Sequence, residues 1–354
     1  MADKLNAGVI GLGVGARHID SYLAHPDVEV VAIASRSEDP RTAQIADRFP
    51  AFKGKVYEDG MDMIANNKLD IVSVCVPNFL HKDLTIAALT SGANVLCEKP
   101  MALNAADAQE MVDVAKQVGK KLGVNFSYRF NYQSRAMKDL VASGVLGEIY
   151  YGRSVWLRRR GIPGMNTTRH GQWFFDKSKA GGGPLIDLGV HRRDFALWLM
   201  DYTEPEWVLA STSDRLGKQA AAATGKVYGV EDFASAMIKF RNGATLELDA
   251  SWAANIRENE QQSTRLLGDR GGVYHYNINE SRECEIEYYY ELAGRQFDGK
   301  LHGTGTAPDS YTLFADAVRD DTDFLVRPED GVTVMKLLDA IYESAASGAP
   351  VKID

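Results

Sequence analysis

The stretch Asn6-Ala7-Gly8-Val9-Ile10-Gly11-Leu12-Gly13-Val14-Gly15-Ala16 decides the fold: a short apolar run enters a G-x-G-x-x-A pattern, and a helical pattern from Arg17 to Ala24 follows it. Each small residue has a separate reason. Gly11 permits the tight turn at a strand end, Gly13 lets a pyrophosphate approach the backbone, and Ala16 lets the helix pack closely on the strand. A glycine pattern alone says little. Between a strand and a helix, however, it places backbone N–H groups at a helix N-terminus, where an anion is stabilised. Gly11, Gly13, Val14, Gly15 and Ala16 are therefore expected to bind a dinucleotide.

Outward from there the chain alternates. Strand Val28 to Ala34 is followed by a helix from about Pro40 to Phe49, a short strand near Val56 and a helix from about Asp59 to Asn66. Asp70 to Val76 is an apolar run suited to a parallel strand covered on both faces. A helix from about Lys82 to Ser91, strand Asn94 to Cys97, helix Ala105 to Val118 and strand Leu122 to Phe126 complete the series. This alternation reads as an α/β domain, a doubly wound parallel sheet over residues 1–125. Ligands of such sheets bind beyond the carboxyl ends of the strands, so Pro77, Asn78 and His81 after one strand, and Glu98 and Lys99 after another, point at the cofactor crevice. Pro100 restricts Lys99 to an extended conformation, so its amine is aimed.

The second strand ends at Ser35-Arg36-Ser37, where an NAD-selective site places an acid for the ribose 2′-hydroxyl. Ser35 can donate a hydrogen bond and Arg36 can pair with a 2′-phosphate. The local chemistry favours NADP, with NAD as the alternative.

A second glycine stretch is Gly181-Gly182-Gly183-Pro184-Leu185-Ile186-Asp187-Leu188-Gly189-Val190-His191. Pro184 suits the first turn of a helix, which would put Asp187 and His191 four residues apart on one helical face. On an ordinary helix such a pair is incidental. Above a glycine loop without side-chain walls it is a proton-handling pair, because an imidazole titrates near neutrality.

Past Phe126 the pattern turns to longer strands: Glu148 to Arg159, Trp207 to Asp214, Arg265 to Leu267, Val273 to Tyr276 and Glu283 to Glu291. Asp232 to Phe240 and Ala244 to Trp252 flank Arg241-Asn242-Gly243, a hairpin signal. These hairpins point to an antiparallel sheet in a second domain, 126–354, with an amphipathic helix from about Gly331 to Ala346. A chain of 354 residues exceeds one typical core, in agreement with two domains. No apolar run approaches the roughly 20 residues that cross a membrane, and the N-terminus enters a strand without leader features, so no membrane partner and a cytoplasmic location are expected. Cys75, Cys97 and Cys284 are too few and scattered for a disulfide framework or a metal knuckle. A net charge of −8 argues against a nucleic-acid groove, although Arg158-Arg159-Arg160 can serve an anionic ligand. No third ligand accompanies Asp187 and His191 at a convincing spacing, so no metal is expected.

The N-terminal glycine loop, Pro77-Asn78 with His81, Glu98-Lys99-Pro100, Tyr128-Arg129-Phe130 and the 181–191 stretch together resemble the Gfo/Idh/MocA family, relatives of glucose-fructose oxidoreductase and inositol dehydrogenase. The resemblance covers nearly the whole chain. It implies an N-terminal Rossmann domain and a C-terminal α/β domain on an open, mostly antiparallel sheet that often forms dimer or tetramer contacts. It also implies that Lys99, Asp187 and His191 match the family's catalytic lysine, aspartate and histidine.

Hydride transfer needs a secondary alcohol facing the nicotinamide and a base for the hydroxyl proton. His191 suits the base, Asp187 can orient it, and Lys99 can stabilise the developing negative charge or share the relay. Arg129, Arg158, His170 and Trp173 offer polar donors and a stacking surface, which with Lys99, Asp187 and His191 would suit a sugar, sugar derivative or cyclitol. Two other readings use the same fold: redox-neutral glycoside cleavage with a transiently reduced NAD, and a non-catalytic dinucleotide sensor. Retention of Lys99, Asp187 and His191 together argues against the sensor.

Overall fold

The protein is described here by a computed structural model covering residues 4–163, 165, 171–281, 283–301 and 307–353. By its internal contacts the chain divides into two compact units, Met1–Phe126 with Pro308–Met335, and Ser127–Ala307 with Lys336–Asp354.

The first unit is built on a parallel sheet of β1 (Leu5–Ile10), β2 (Val28–Ala34), β3 (Lys55–Tyr57), β4 (Ile71–Val74), β5 (Asn94–Cys97) and β6 (Leu122–Val124). Its order, β3-β2-β1-β4-β5-β6, reverses between β1 and β4, which is where ligands of doubly wound sheets bind. Apolar runs form these strands because both faces are covered, and every residue of β4 is buried. The helices are capped locally. Asn104 accepts from the Asp107 N–H at the start of Ala105–Val118, and Gly119 ends that helix at φ 64°.

Pro308–Met335 counts with this first unit, an excursion absent from the reading of 126–354 as one continuous domain. Packing explains it. Gly123 in β6 has no side chain, and the rings of Phe314 and Phe324 occupy the space a Cβ would need. The Ser310 hydroxyl donates to Asn125 Oδ1 at 2.7 Å. One glycine and two phenylalanines far apart in sequence leave no periodic signal.

Among the described residues the second unit carries nine strands: β7 (Ile149–Arg158), β8 (Pro205–Ser213), β9 (Phe233–Phe240), β10 (Thr245–Ser251), β11 (Glu260–Gly268), β12 (Gly271–Asn277), β13 (Cys284–Leu292), β14 (Arg295–Lys300) and β15 (Val351–Lys352). Their order is β14-β13-β12-β11-β7-β10-β9-β8-β15, antiparallel except where β7 lies beside β10. β9 alternates throughout and β10 as far as Ala250, burying Ala234, Ala236, Ile238 and Phe240 of one and Leu246, Leu248 and Ala250 of the other. Gly243, at φ 91°, closes the expected hairpin between them. β14 has no apolar alternation to announce it, because almost all of it is exposed. Among the described residues no helix is long and apolar enough to cross a membrane.

Candidate active site

The carboxyl edge of the parallel sheet is shaped by the glycine loop. Gly11 sits at φ 95°, and a Cβ there would collide with the Cys75 carbonyl oxygen. No other residue fits at that turn. The helix Gly15–Ala24 begins at Val14 without a side-chain cap and without an acid in its first turn, so its N-terminal end keeps the donor character that a pyrophosphate needs. The residues present therefore fit a dinucleotide. Pro77 and Asn78 follow β4, Glu98 and Lys99 follow β5, and the Lys99–Pro100 peptide is cis. His81 is buried, with Nδ1 2.7 Å from the Pro100 carbonyl and Nε2 2.9 Å from that of Val76. It ties the two strand ends together. Burial holds its pKa below the ordinary histidine value, against the pull of the two carbonyls.

Glu98 is anchored by groups that no local pattern singled out. Its carboxylate accepts from Asn125 Nδ2 at 2.6 Å and faces His18 Nε2 at 3.0 Å, while His18 Nδ1 lies 2.9 Å from Ser73 Oγ. Burial alone would push this carboxyl up; the hydrogen bond and charge of His18, aided by Asn125, outweigh it and carry the pKa down to about 2. His18 stands in the first turn of the helix after the glycine loop, and Asn125 directly follows β6, so position relative to the strands was the available signal.

At the end of β2, Ser35 is buried and its hydroxyl meets Thr42 Oγ1 at 2.7 Å, while Arg36 is exposed and pairs with Glu38 at 3.0 Å. Arg41 adds a cation that the sequence pattern did not mark. Asp39 holds its guanidinium by two bonds of 2.8 and 2.6 Å, and Nη1 lies 3.3 Å from where a Gly13 Cβ would be.

In the second unit, the helix expected through Asp187 and His191 is α-helical only over Val190–Leu199; Leu185–Gly189 forms a π-helical turn. The simple one-face relation of an α-helix therefore does not apply to the pair, and π turns are frequent at functional sites. Gly189 packs closely, its Cβ position lying 3.2 Å from Leu185 and 3.4 Å from Ala250. The half-buried Asp187 accepts from the Trp252 indole N–H at 2.9 Å. The His191 ring lies 5.7 Å from the rings of both Tyr128 and Trp156. Trp173 stacks on Phe174 at 3.9 Å, and Phe174 meets Trp252 edge-on at 6.0 Å, which links Trp173 to the support of Asp187. Arg158 donates to Glu260 at 2.9 Å on the same strand pair.

Of the two remaining expected substrate donors, the structure describes one. Arg129 is fully buried and grips Asp194 with Nε at 3.1 Å and Nη2 at 2.6 Å, and it also donates to the Tyr202 hydroxyl. Its guanidinium is committed to a core ion pair, where a bidentate carboxylate offsets desolvation, so the expectation of a substrate contact is corrected to a structural one. His170 lies outside the described residues. Trp252 and Tyr128 join the site instead; their signals were a tryptophan at a strand end and the residue before Arg129. Among the described residues no three His, Cys, Asp or Glu side chains are grouped to hold a metal ion.

Residues 5–126 match the model of an oxidoreductase family with an NAD-binding Rossmann fold, and residues 134–274 match the GFO/IDH/MocA C-terminal domain. D-glucoside 3-dehydrogenase of Escherichia coli (strain K12) is 32% identical over 366 residues, covering 99% of this chain and 98% of the relative. D-xylose 1-dehydrogenase (NADP(+)) 2 of Haloferax volcanii is 29% identical over 354 residues, covering 98% and 99%. A solved levoglucosan dehydrogenase in complex with NADH and levoglucosan is similar with a TM-score of 0.84 at 26% identity, over 99% of this chain and 100% of that one. With a parallel sheet in the order of a dinucleotide-binding domain, a mostly antiparallel second sheet and both family segments matched in sequence, the chain belongs to the Gfo/Idh/MocA family of oxidoreductases.

Proposed function

We propose that this protein is an NAD(P)-dependent oxidoreductase that transfers a hydride between the nicotinamide and a secondary alcohol or ketone of a sugar, sugar derivative or cyclitol. One observation carries the substrate class: Asp187 on the Trp252 N–H and His191 beside the rings of Tyr128 and Trp156 set polar groups against aromatic side chains. Such a surface suits a ring with hydroxyls at its edge and C–H groups on its face. The sugar dehydrogenases among its relatives support the same class.

The cofactor is held by Gly11, Gly13, Val14, Gly15 and Ala16 at the pyrophosphate and by the strand ends bearing Pro77, Asn78, Glu98 and Lys99, with His81 fixing those ends in place. The bound nicotinamide supplies the hydride acceptor or donor. His191 takes the hydroxyl proton in the oxidising direction and returns it in the other. Asp187, held by Trp252, orients the substrate hydroxyl or the imidazole. Lys99 donates to the reacting oxygen and offsets its developing charge. Arg158 and Trp173 contribute to substrate binding. The residues after β2 favour NADP: Ser35 stands where an acid would select NAD, and Arg36 and Arg41 are cations beside it. A homodimer or homotetramer in the cytoplasm completes this reading.

Titration with NADPH and NADH by nicotinamide fluorescence, followed by a screen of sugars and cyclitols for a change in nicotinamide absorbance, tests it. Tight NADPH binding with turnover of a cyclic polyol is expected. Binding of neither cofactor, or turnover of none of these compounds, would overturn the reading.

A further inference from the structure

We infer that Glu231, with Tyr342, is the positioning residue of the substrate-side half of the site: its carboxylate holds the glycine loop 181–183 and thereby sets the π-helical turn that carries Asp187 and leads into His191. This rests on the reading above that Asp187 and His191 serve the reaction.

The geometry is specific. Pro184 has no N–H, and Glu231 takes the donors on either side of it: Oε2 accepts from Gly183 N at 2.9 Å and Oε1 from Leu185 N at 3.1 Å. Oε1 also accepts from the Tyr342 hydroxyl at 3.0 Å. The loop lies so close to these two residues that a Cβ on Gly183 would collide with the Glu231 carbonyl oxygen, and one on Gly182 with the Tyr342 hydroxyl. That explains two of the three glycines without a ligand.

The same segment also holds the side-chain partner of Asp187. The Tyr228 hydroxyl donates to the Glu231 carbonyl at 3.1 Å, and the next carbonyl, Asp232, accepts from the Trp252 backbone N–H at 3.1 Å and the Ser251 hydroxyl at 2.7 Å. Trp252 is the residue whose indole holds Asp187. One short piece of chain thus fixes both the loop before Asp187 and the side-chain partner of Asp187.

One buried and one exposed cation lie near Tyr342. Arg193, on the same helix as His191, is fully buried and within electrostatic reach of Tyr342, and burial brings its pKa down to about 10. The Lys177 ammonium stands 5.3 Å from the Tyr342 ring centre. Glu231 itself is nine-tenths buried among neutral donors, and burial outweighs them to keep its pKa above the ordinary carboxyl value.

Glu231→Gln keeps the volume but leaves one acceptor where two N–H groups and a hydroxyl need them. Whole-chain hydrogen exchange should show the peptide spanning 181–191 exchanging about tenfold faster or more, with peptides of the parallel sheet unchanged. With a sugar or cyclitol substrate, kcat should fall on the order of 10- to 100-fold while the dissociation constant for NADPH stays within about twofold. Combining it with Asp187→Asn should lower kcat by less than the product of the two single effects. Unchanged exchange at 181–191, unchanged kcat or multiplicative effects would each overturn the assignment. If the glutamine variant does not fold, Tyr342→Phe, which removes one donor to the same carboxylate, should give the same pattern at about threefold in kcat, and no change in exchange or kcat there overturns it too. A wild-type chain that turns over no sugar or cyclitol would overturn the functional reading alone, and the exchange result would still decide whether Glu231 holds the loop.

Discussion

The loop 11–16 in the first unit and the loop 181–183 in the second are both rich in glycine and both lead into a helix, yet Gly11 and Gly183 are required for different reasons. At Gly11 the backbone takes a positive φ against the Cys75 carbonyl, and the helix beyond begins without a side-chain cap. At Gly183 the backbone lies against Glu231, and the amides of Gly183 and Leu185 are already taken by that residue's carboxylate. Each unit also has its own buried glutamate, and the two titrate in opposite directions. Glu98 meets His18 and falls to about 2; Glu231 meets only neutral donors and rises. A glycine pattern marks a close approach of backbone, to the Cys75 carbonyl at Gly11 and to the Glu231 carbonyl at Gly183.

The largest expected effect separates the two acids. Glu98→Gln should lower stability by about 3 kcal/mol at pH 7 in urea unfolding, because a buried pair loses its charged member. A depressed carboxyl contributes fully above the ordinary carboxyl pKa, so this loss should shrink as the pH falls from about 4 toward the folded value near 2. A raised carboxyl has the opposite sign: its contribution is present at low pH and is lost as the pH rises through its raised value, so Glu231→Gln should cost less at pH 7. Equal losses would break the contrast.

Next in size, His191→Asn should reduce kcat by about 10²-fold or more with NADPH affinity retained, since it removes a base from the substrate side only. Near-normal turnover would take His191 out of the mechanism. The two loops can then be compared directly. Gly11→Ala should weaken NADPH binding about tenfold or more by strain at a positive φ, whereas Gly183→Ala should leave that affinity unchanged and lower kcat. Fluorescence titration and steady-state rates on both variants decide it, and a shared loss of cofactor affinity would erase the distinction. The smallest effect is expected from Ser35→Asp, a shift of several-fold in relative affinity from NADPH toward NADH. An unchanged ratio would refute the assignment at the end of β2.

Much of the first unit was legible in sequence because its cues are local. Strand runs such as Ile71–Val74 are apolar on both faces, Gly11 sits at a strand end, and Lys99 precedes a proline after β5. The hairpin at Gly243 was equally plain. Other features depend on distant partners. Asp187 and His191 could be singled out by residue type, but the π-helical turn Leu185–Gly189 that carries Asp187 lies against distant residues, Gly189 packing closely on Ala250 of β10. Arg129 looked like a donor for substrate because nothing near it in sequence shows Asp194 and Tyr202 closing on its guanidinium. Pro308–Met335 joined the first unit through two phenylalanines that fill the space beside Gly123.

By itself, the sequence determined the class of fold, the place where a dinucleotide is expected and the residue types for handling a proton. Those follow from backbone conformation and side-chain periodicity, which act over a few residues. Only the tertiary structure decided what each charged or glycine residue faces: Glu98 toward His18, Arg129 toward Asp194, and Glu231 beneath the second glycine loop. The reason is that desolvation and hydrogen bonding, which set pKa and orientation, depend on neighbours brought together from far along the chain.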